Sequence, residues 1–383
     1  MAKCVMVLYP DPVDGYPPTY ARDTIPVLDS YPDGSTLPTP SGIDFTPGEL
    51  LGCVSGALGL RRFFADAGYE LVVTSDKDGP DSVFERELPD ADIVISQPFW
   101  PAYLSAERIA KAPKLKLALT AGIGSDHVDL DAAKARGITV AEETYSNSIS
   151  VAEHTVMQTL ALVRNFVPSH RYAVDGGWNI ADCVSRAYDV EGMDFGVIAA
   201  GRIGRAVLER MKPFGVHLHY TDIHRLPDAV ERDLGLTFHP DVASLAAAVD
   251  IVSVHSPLYA GTRGMFDATL LNSMRRGAYL VNTARAEETV PEAIVAALES
   301  GQLAGYAGDV WHPQPPAPDH PWRRMPHQAM TPHVSGSTLS AQARYAAGTR
   351  EILEDWLAGR PIRPEYLIVA DGALAGTGAR SYR

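Results

Sequence analysis

The chain has 383 residues, with 33 Lys plus Arg against 47 Asp plus Glu, for a formal charge of −14. Its 46% hydrophobic and 21% charged residues are those of a soluble globular protein, and at about 150 residues per domain the length suggests two or three domains. The acidic balance argues against a nucleic-acid partner, whose phosphates select basic faces. No apolar run reaches the roughly 18 residues that a membrane span needs, and a core of this size needs no disulfide or structural metal.

In chain order, the apolar stretch within Met1–Pro10 is too short for a signal peptide and reads as a first β-strand. Cys4, Cys53 and Cys183 are odd in number and have no CxxC spacing, which fits a reducing cytoplasm. The first 80 residues are dense in turn formers, as in Asp11-Pro12-Val13-Asp14-Gly15 and Tyr31-Pro32-Asp33-Gly34. They read as a long ordered arm, with a partly disordered N-terminus as the alternative. From about residue 69 the pattern is α/β. Short apolar runs at 71–74, 93–96, 117–120 and 138–141 read as buried parallel strands. The Ser150-x-x-Glu153 spacing of a capping box predicts a helix from Ser150, with Val156, Leu160 and Val163 on one face.

A second α/β series predicts strands at 195–199, 218–221, 251–254, 279–282, 306–310 and 329–331, and helices at 204–211, 244–249, 268–274 and 292–300. A last long helix is expected at 338–357, followed by a tail that folds back on the first domain. The fold expected is therefore α/β: two Rossmann-like, doubly wound parallel-sheet domains with a cleft between them. Residues 1–147, completed by 336–383, would form the substrate domain, and 148–335 the dinucleotide-binding domain.

The clearest local signal is Val197-Ile198-Ala199-Ala200-Gly201-Arg202-Ile203-Gly204, at a strand-to-helix junction. It is a GxGxxG fingerprint with Ala199 in place of the first glycine. Gly201 would let a pyrophosphate approach the backbone, and Gly204 would let helix and strand pack closely. Ala199 carries a Cβ where the turn is tight, so an adapted or slightly strained turn is expected there. Asp222 follows at the end of the next strand, placed to accept from ribose hydroxyls and to repel a 2′-phosphate, which favours NAD over NADP. The bland alternative is a nucleotide-free domain with a solvent aspartate. His217 and His219 share a strand face, but no acidic or Cys ligand set completes a metal site in the sequence. Successive strand ends then carry Arg285, Asp309 and His333; a guanidinium there is a natural clamp for a carboxylate.

These residues resemble the D-2-hydroxyacid dehydrogenase superfamily, and more narrowly its NAD-dependent formate dehydrogenases. The superfamily features are Ala200–Gly204, Asn282-Thr283-Ala284-Arg285, Gly308-Asp309-Val310 and Thr331-Pro332-His333. The narrower ones are Tyr9–Tyr16, Thr74–Ser82, Ser96–Pro101, Thr120–His127, Asn147–His154, Gly176–Asn179 and Ala373–Gly378. The resemblance implies that Arg285 and Asn147 bind the formate carboxylate and that Ile123 adds a backbone donor and crowds the substrate. It implies that Pro98 and Phe99 wall the pocket, and that His333 lies beside the substrate, paired with Gln314. Asp309 and Ser335 would hold the nicotinamide carboxamide. Ala199, Gly201, Arg202, Ile203, Gly204, Asp222, Ser148, Pro257, Thr283 and Gly336 would complete the NAD site. No metal is implied.

Gln314 decides the chemistry. A hydroxyacid dehydrogenase moves a proton as well as a hydride and pairs its His with a Glu; a neutral Gln cannot raise a His pKa by Coulomb attraction. Formate has no hydroxyl proton, so hydride transfer alone suffices. The chain departs from the family at Ile223 (commonly Arg), Ala286 (Gly), His255-Ser256-Pro257-Leu258-Tyr259 (Asn-Cys-Pro-Leu-His) and His312 (Phe). The rival readings are a glyoxylate- or hydroxypyruvate-type D-2-hydroxyacid dehydrogenase and a non-catalytic NADH-sensing protein. The resemblance also implies a homodimer, with the helix after Ser150 as a contact.

Overall fold

The structure, a computed structural model, describes residues 1–19, 21–28, 59–377, 379 and 382. The turn at 31–34, Cys53 and Gly378 lie outside them, as do residues 20 and 29–58 of the arm expected over the first 80 residues. The chain divides into two compact units, Met1–Asn147 with Gly336–Arg383, and Ser148–Ser335. The first contributes β1 (Ala2–Val7), β2 (Tyr69–Thr74), β3 (Ile93–Ser96), β4 (Leu117–Thr120) and β5 (Thr139–Glu142). The second holds β6 (Asp194–Ile198), β7 (His217–Thr221), β8 (Thr237–Phe238), β9 (Ile251–Val254), β10 (Ala278–Asn282), β11 (Leu303–Gly308) and β12 (Gln328–Met330). The chain then returns to the first unit with β13 (Leu367–Ala370) and β14 (Ala373–Leu374).

The second unit's sheet is parallel throughout, in the order β12-β11-β10-β9-β6-β7-β8. Val197, Ile251, Val252 and Leu280 are fully buried, as expected of strands covered on both faces by helices. In the first unit β2-β1-β3-β4-β5 are parallel. The tail folds back on this unit and adds an antiparallel edge to its parallel strands: β13 pairs antiparallel with β5, and β14 antiparallel with β13. The tail supplies Ile368 and Val369, both fully buried, to a core shared with Val140. An antiparallel edge needs no crossover helix, so a short tail can complete the sheet.

The helix expected from Ser150 begins at Ser148 and runs to Val163. Ser150 is buried within its first turn, and exposed Glu153 lies 3.8 Å from Arg210, so the capping box is not made. Val156, Leu160 and Val163 do pack on the sheet of their unit. Helices not expected from periodicity, Val83–Glu87, Ala106–Lys111 and Leu130–Arg136, are each started by a cap: Ser82, Ser105 and Asp129 accept from the N–H of Glu85, Arg108 and Ala132. His217 and His219 do have an acidic neighbour, since Asp194 Oδ1 lies 3.2 Å from a ring nitrogen of each. Asp194 also takes Arg275 at 2.8 Å. Among the described residues no group of three or more His, Cys, Asp or Glu could hold a metal ion, and no helix is long and apolar enough to cross a membrane.

β6 stops at Ile198 because Ala199 turns into the left-handed region, at φ 68°. The amide of Ala199 still donates to Thr221 O, which pins the turn to β7. A Cβ on Gly204 would stand 2.2 Å from Ala199 O and 2.8 Å from Val197 Cγ1, so only glycine fits where helix meets strand. Left-handed backbone costs an L-residue about 1–2 kcal/mol, part of which glycine returns through unfolded-chain entropy. Ala199→Gly is therefore expected to stabilise the chain by up to about 1 kcal/mol, read as a higher denaturant midpoint at unchanged m-value; a lower midpoint would refute the strain.

Glu143 is fully buried. Burial raises its carboxyl to about 8, outweighing Ser146 and Arg344, which favour the anion. The folded chain thus keeps a proton that the unfolded chain releases. The stability tied to that proton is complete below the ordinary carboxyl range and is lost as pH rises towards 8, by roughly 1.4 kcal/mol per unit. Glu143→Gln removes the proton. Thermal unfolding should match wild type near pH 5 and exceed it at pH 8; parallel melting profiles at both would rule the assignment out.

Candidate active site

In the second unit the helix Arg202–Met211 starts at Gly201, whose backbone is extended. No side chain caps it and no acidic residue lies in its first turn, so its N-terminal amides and positive dipole end are available to an anion. A Cβ added at Gly201 would meet nothing within 4 Å, in contrast to Gly204. That open space beside the helix N-terminus fits a pyrophosphate. Asp222 lies beside it: Oδ2 accepts from Ala200 N at 2.8 Å and Oδ1 from His224 N at 2.8 Å. The carboxylate is thereby fixed at the end of β7. Ile223 is 81% exposed, and the following cation, Arg225, is committed to Glu231 at 2.8 and 2.9 Å. Arg225 and Tyr220 together hold the Glu231 carboxyl down to about 2. Ser148 Oγ is buried without a hydrogen-bond partner, a second vacancy in the donor set that suits a polar ligand. Thr283 Oγ1 faces Thr155 Oγ1 at 3.1 Å, and Pro257 O accepts from Thr262 at 2.8 Å.

The three polar strand ends of this unit are each built by local hydrogen bonds. Asn282 closes the loop after β10: its Oδ1 accepts from Ala284 N and its Nδ2 donates to Arg285 O, both at 2.9 Å. This presents Arg285, half-buried, just past the strand. Asp309 follows β11 and is fully buried. Its Oδ1 accepts from Thr331 Oγ1 at 2.5 Å and Val334 N at 2.9 Å, and its Oδ2 from Ser335 N at 2.7 Å. Asp309 and Ser335 are thus brought together, and their shared bond fixes the loop that carries His333. His333 has φ 59°, a left-handed conformation, and its Nδ1 lies 2.6 Å from Gln314 Oε1. Arg285, Gln314, Asp309 and His333 all follow the carboxyl ends of adjacent strands, where α/β sheets bind ligands.

In the first unit Pro98, Phe99, the Ile123 loop, Asn147 and Gly336 gather around one side chain that sequence reasoning missed. Tyr345, fully buried in the helix Leu339–Leu357, donates to Gly336 O at 2.7 Å and also bonds Asn147. Burial raises its phenol well above the usual range. Its ring lies 6.0 Å from that of Phe99. A Cβ on Gly122, which precedes Ile123, would stand 2.8 Å from Pro98 Cδ, and one on Gly336 2.6 Å from Asn147 Nδ2. Glu142 Oε2 holds the same loop through Gly124 N and Ser125 Oγ. In the second unit two supports were likewise missed. His154 Nε2 lies 3.1 Å from Thr331 Oγ1, and Gln158 Nε2 donates to Gly308 O, Ala329 O and Thr331 Oγ1. Burial keeps His154 below the ordinary histidine range. Polar residues on an otherwise apolar helix face were the available signal.

The comparisons with known proteins agree with this geometry. Residues 156–335 match the family described as D-isomer specific 2-hydroxyacid dehydrogenase, NAD binding domain. The chain is 66% identical over 382 residues to the formate dehydrogenase of Pseudomonas sp. (strain 101), covering all of this chain and 95% of that protein. It is 49% identical to the formate dehydrogenase of Candida boidinii, over 85% of this chain and 92% of that one. Among solved structures, a Granulicella formate dehydrogenase superposes with a TM-score of 0.92 at 68% identity, covering 98% of this chain and all of the other. The NAD complex of the NAD-dependent formate dehydrogenase from Staphylococcus aureus gives 0.79 at 39% identity, covering 96% and 99%. A dinucleotide turn, a buried Asp309 holding a His–Gln pair and an arginine at the neighbouring strand end belong together for this reason: the chain is a member of the formate dehydrogenase family, within the D-2-hydroxyacid dehydrogenase superfamily.

Proposed function

We infer that this protein oxidises formate to carbon dioxide with NAD as the acceptor, by direct hydride transfer and without general acid–base catalysis. The observation that carries the reading is the neutral amide of Gln314 against His333 Nδ1 at 2.6 Å. A carboxylate there would sustain a basic imidazole able to exchange a proton with a hydroxyl. An amide orients the ring and leaves it to hydrogen-bond, which is all that a substrate without a hydroxyl requires.

NAD, when bound, accepts the hydride at its nicotinamide ring. We assign its binding to the unit Ser148–Ser335. Ala199, Gly201, Arg202, Ile203 and Gly204 meet the pyrophosphate and Asp222 the adenosine ribose. Ser148, Pro257, Thr283, Asp309 and Ser335 complete this unit's contacts, and Gly336 is the residue of the substrate unit assigned to the cofactor. The unit containing Met1–Asn147 is the substrate unit. In the second unit Arg285 clamps the formate carboxylate; in the substrate unit Asn147 and the Ile123 amide are the donors offered to it, and Pro98, Phe99 and the Ile123 side chain supply the apolar wall. Such a clamp lowers the barrier by orientation. A dry surrounding adds to it, because the negative charge brought in by formate disappears during the reaction.

We also propose a homodimer. The helices Phe166–Val174 and Ile180–Val184 contain no buried residue. Phe166, Val174, Trp178, Ile180, Val184 and Tyr188 are all more than half exposed. Two helices that bury nothing in their own chain, in a segment with six large, exposed apolar side chains, suit an isologous contact with a second copy. The acidic charge and the free thiols of Cys4 and Cys183 suit a cytoplasmic enzyme.

The direct check is NADH absorbance with formate and either NAD or NADP, beside glyoxylate with NADH. Formate-dependent NADH formation is expected, with at least tenfold lower kcat/KM for NADP. Glyoxylate reduction without formate oxidation would place the protein with the hydroxyacid dehydrogenases. Trp178→Glu with Val184→Glu should convert a dimer to a monomer in sedimentation velocity; a wild-type monomer at micromolar concentration would end the dimer proposal.

A further inference from the structure

Three residues after Arg285, in the same tight turn, lies a carboxyl that the proposed reaction leaves unused. Glu288 is fully buried. Its Oε1 accepts from Ser256 Oγ at 2.7 Å, and its Oε2 is buried with no hydrogen bond. Its backbone completes a small knot: Glu288 N donates to Arg285 O, and Phe266 N to Glu288 O. Ser256 belongs to the segment after β9 that departs from the family pattern, and Glu288 to the one after β10 where Ala286 also departs. Glu288 therefore joins the loop that carries Pro257 to the loop that carries Arg285.

A buried carboxylate with one unsatisfied oxygen is costly, whereas a carboxylic acid at the same place is tolerable. Burial in fact raises Glu288 to about 8, and Glu287 pushes in the same direction, against Ser256, Arg285 and Thr262, which favour the anion. The other groups around it are accounted for. Tyr306, buried on β11, is pushed above the usual phenol range, with Glu288 among the causes. Glu287 faces His312 at 3.0 Å. His255, beside Ser256, bonds Ser253 and is held down to about 3 by burial. Arg285 is thus the cation whose field Glu288 shares.

We propose that Glu288 is a positioning residue, a neutral carboxyl that ties the Ser256 loop to the Arg285 loop and that, when it ionises, competes with formate for the Arg285 guanidinium. The proposal rests on the formate-oxidation reading for its substrate. Coupling between the two sites is reciprocal: an anion on Glu288 weakens formate, and bound formate makes Glu288 harder to ionise. The kcat is expected to change little, because the competition acts on binding.

The test uses the full chain with NAD, as wild type, Glu288→Gln and Glu288→Leu. The KM for formate in the wild type should rise by roughly tenfold between pH 7 and 9.5, the ratio that one pKa unit of coupling carries. In Glu288→Gln it should stay flat, with kcat close to wild type. Glu288→Leu, which loses the Ser256 bond as well, should raise KM at every pH. A rise in Glu288→Gln equal to that of wild type would overturn the proposal. Infrared spectra give a readout apart from turnover. The wild type minus Glu288→Gln difference should show a protonated carboxyl band at pH 7 that fades on alkalinisation, and saturating formate should move the fading upward by about one pH unit. A band missing at pH 7, or a midpoint indifferent to formate, would also overturn it. A shifting band without NADH formation would instead sink the oxidation reading and leave the Glu288–Arg285 coupling standing.

Discussion

The site in the second unit depends on one buried anion. Asp309 is removed from solvent, and its charge is met by the Thr331 hydroxyl and the amides of Val334 and Ser335. Three donors to a carboxylate offset its desolvation, and they also fix two successive amides of the loop beyond β12. That constraint makes the left-handed backbone of His333 affordable. A lone histidine would relax out of φ 59° at a gain of about 1–2 kcal/mol, but relaxing would break bonds to Asp309. Trp311 Nε1, which donates to Thr331 O at 2.8 Å, braces the same segment from the β11 side. His154 and Gln158 do so from the helix Ser148–Val163. The imidazole is therefore aimed by its backbone before Gln314 sets its ring.

Around that anchor, charge is distributed economically. Arg285 is the cation we propose for the substrate, and two groups of the same unit that could have been charged are not. Gln314 takes the place of a carboxylate, and Glu288 is kept protonated by burial. Each uncharged choice leaves more of the guanidinium's field for an anion arriving from solvent. In a dry site, where a charge pair is several times stronger than in water, such choices weigh more than additional contacts would.

Much of this was legible in the residues because local backbone rules left few alternatives. Buried parallel strands announce themselves as short β-branched runs, and Gly204 had to be glycine once strand and helix met there. Ala199 was read as strained from its type alone, and its φ of 68° is that strain. What escaped depends on partners distant in sequence. The antiparallel tail is invisible until β5 offers an edge to β13. Asp194 joins His217 and His219 across neighbouring strands, 23 and 25 residues away. Tyr345 joins Asn147 and Gly336 from the middle of a helix whose periodicity identifies a core position and nothing more. Glu288 belongs to no motif in the sequence; only the fold turns it inward onto Ser256.

The ribose end of the cofactor turn follows the same economy. Both oxygens of Asp222 already accept a backbone amide, so the carboxylate cannot swing away from an incoming phosphate. The first arginine after Asp222 along the chain, Arg225, is held bidentate by Glu231 and lies 5.1 Å over the Phe238 ring. Recruiting it would mean giving up a paired fork and a cation–π contact together. With Ile223 turned to solvent in the intervening position, a 2′-phosphate would meet a fixed anion and a preoccupied cation. The NAD selectivity proposed for this turn then rests on what Arg225 is already doing as much as on Asp222.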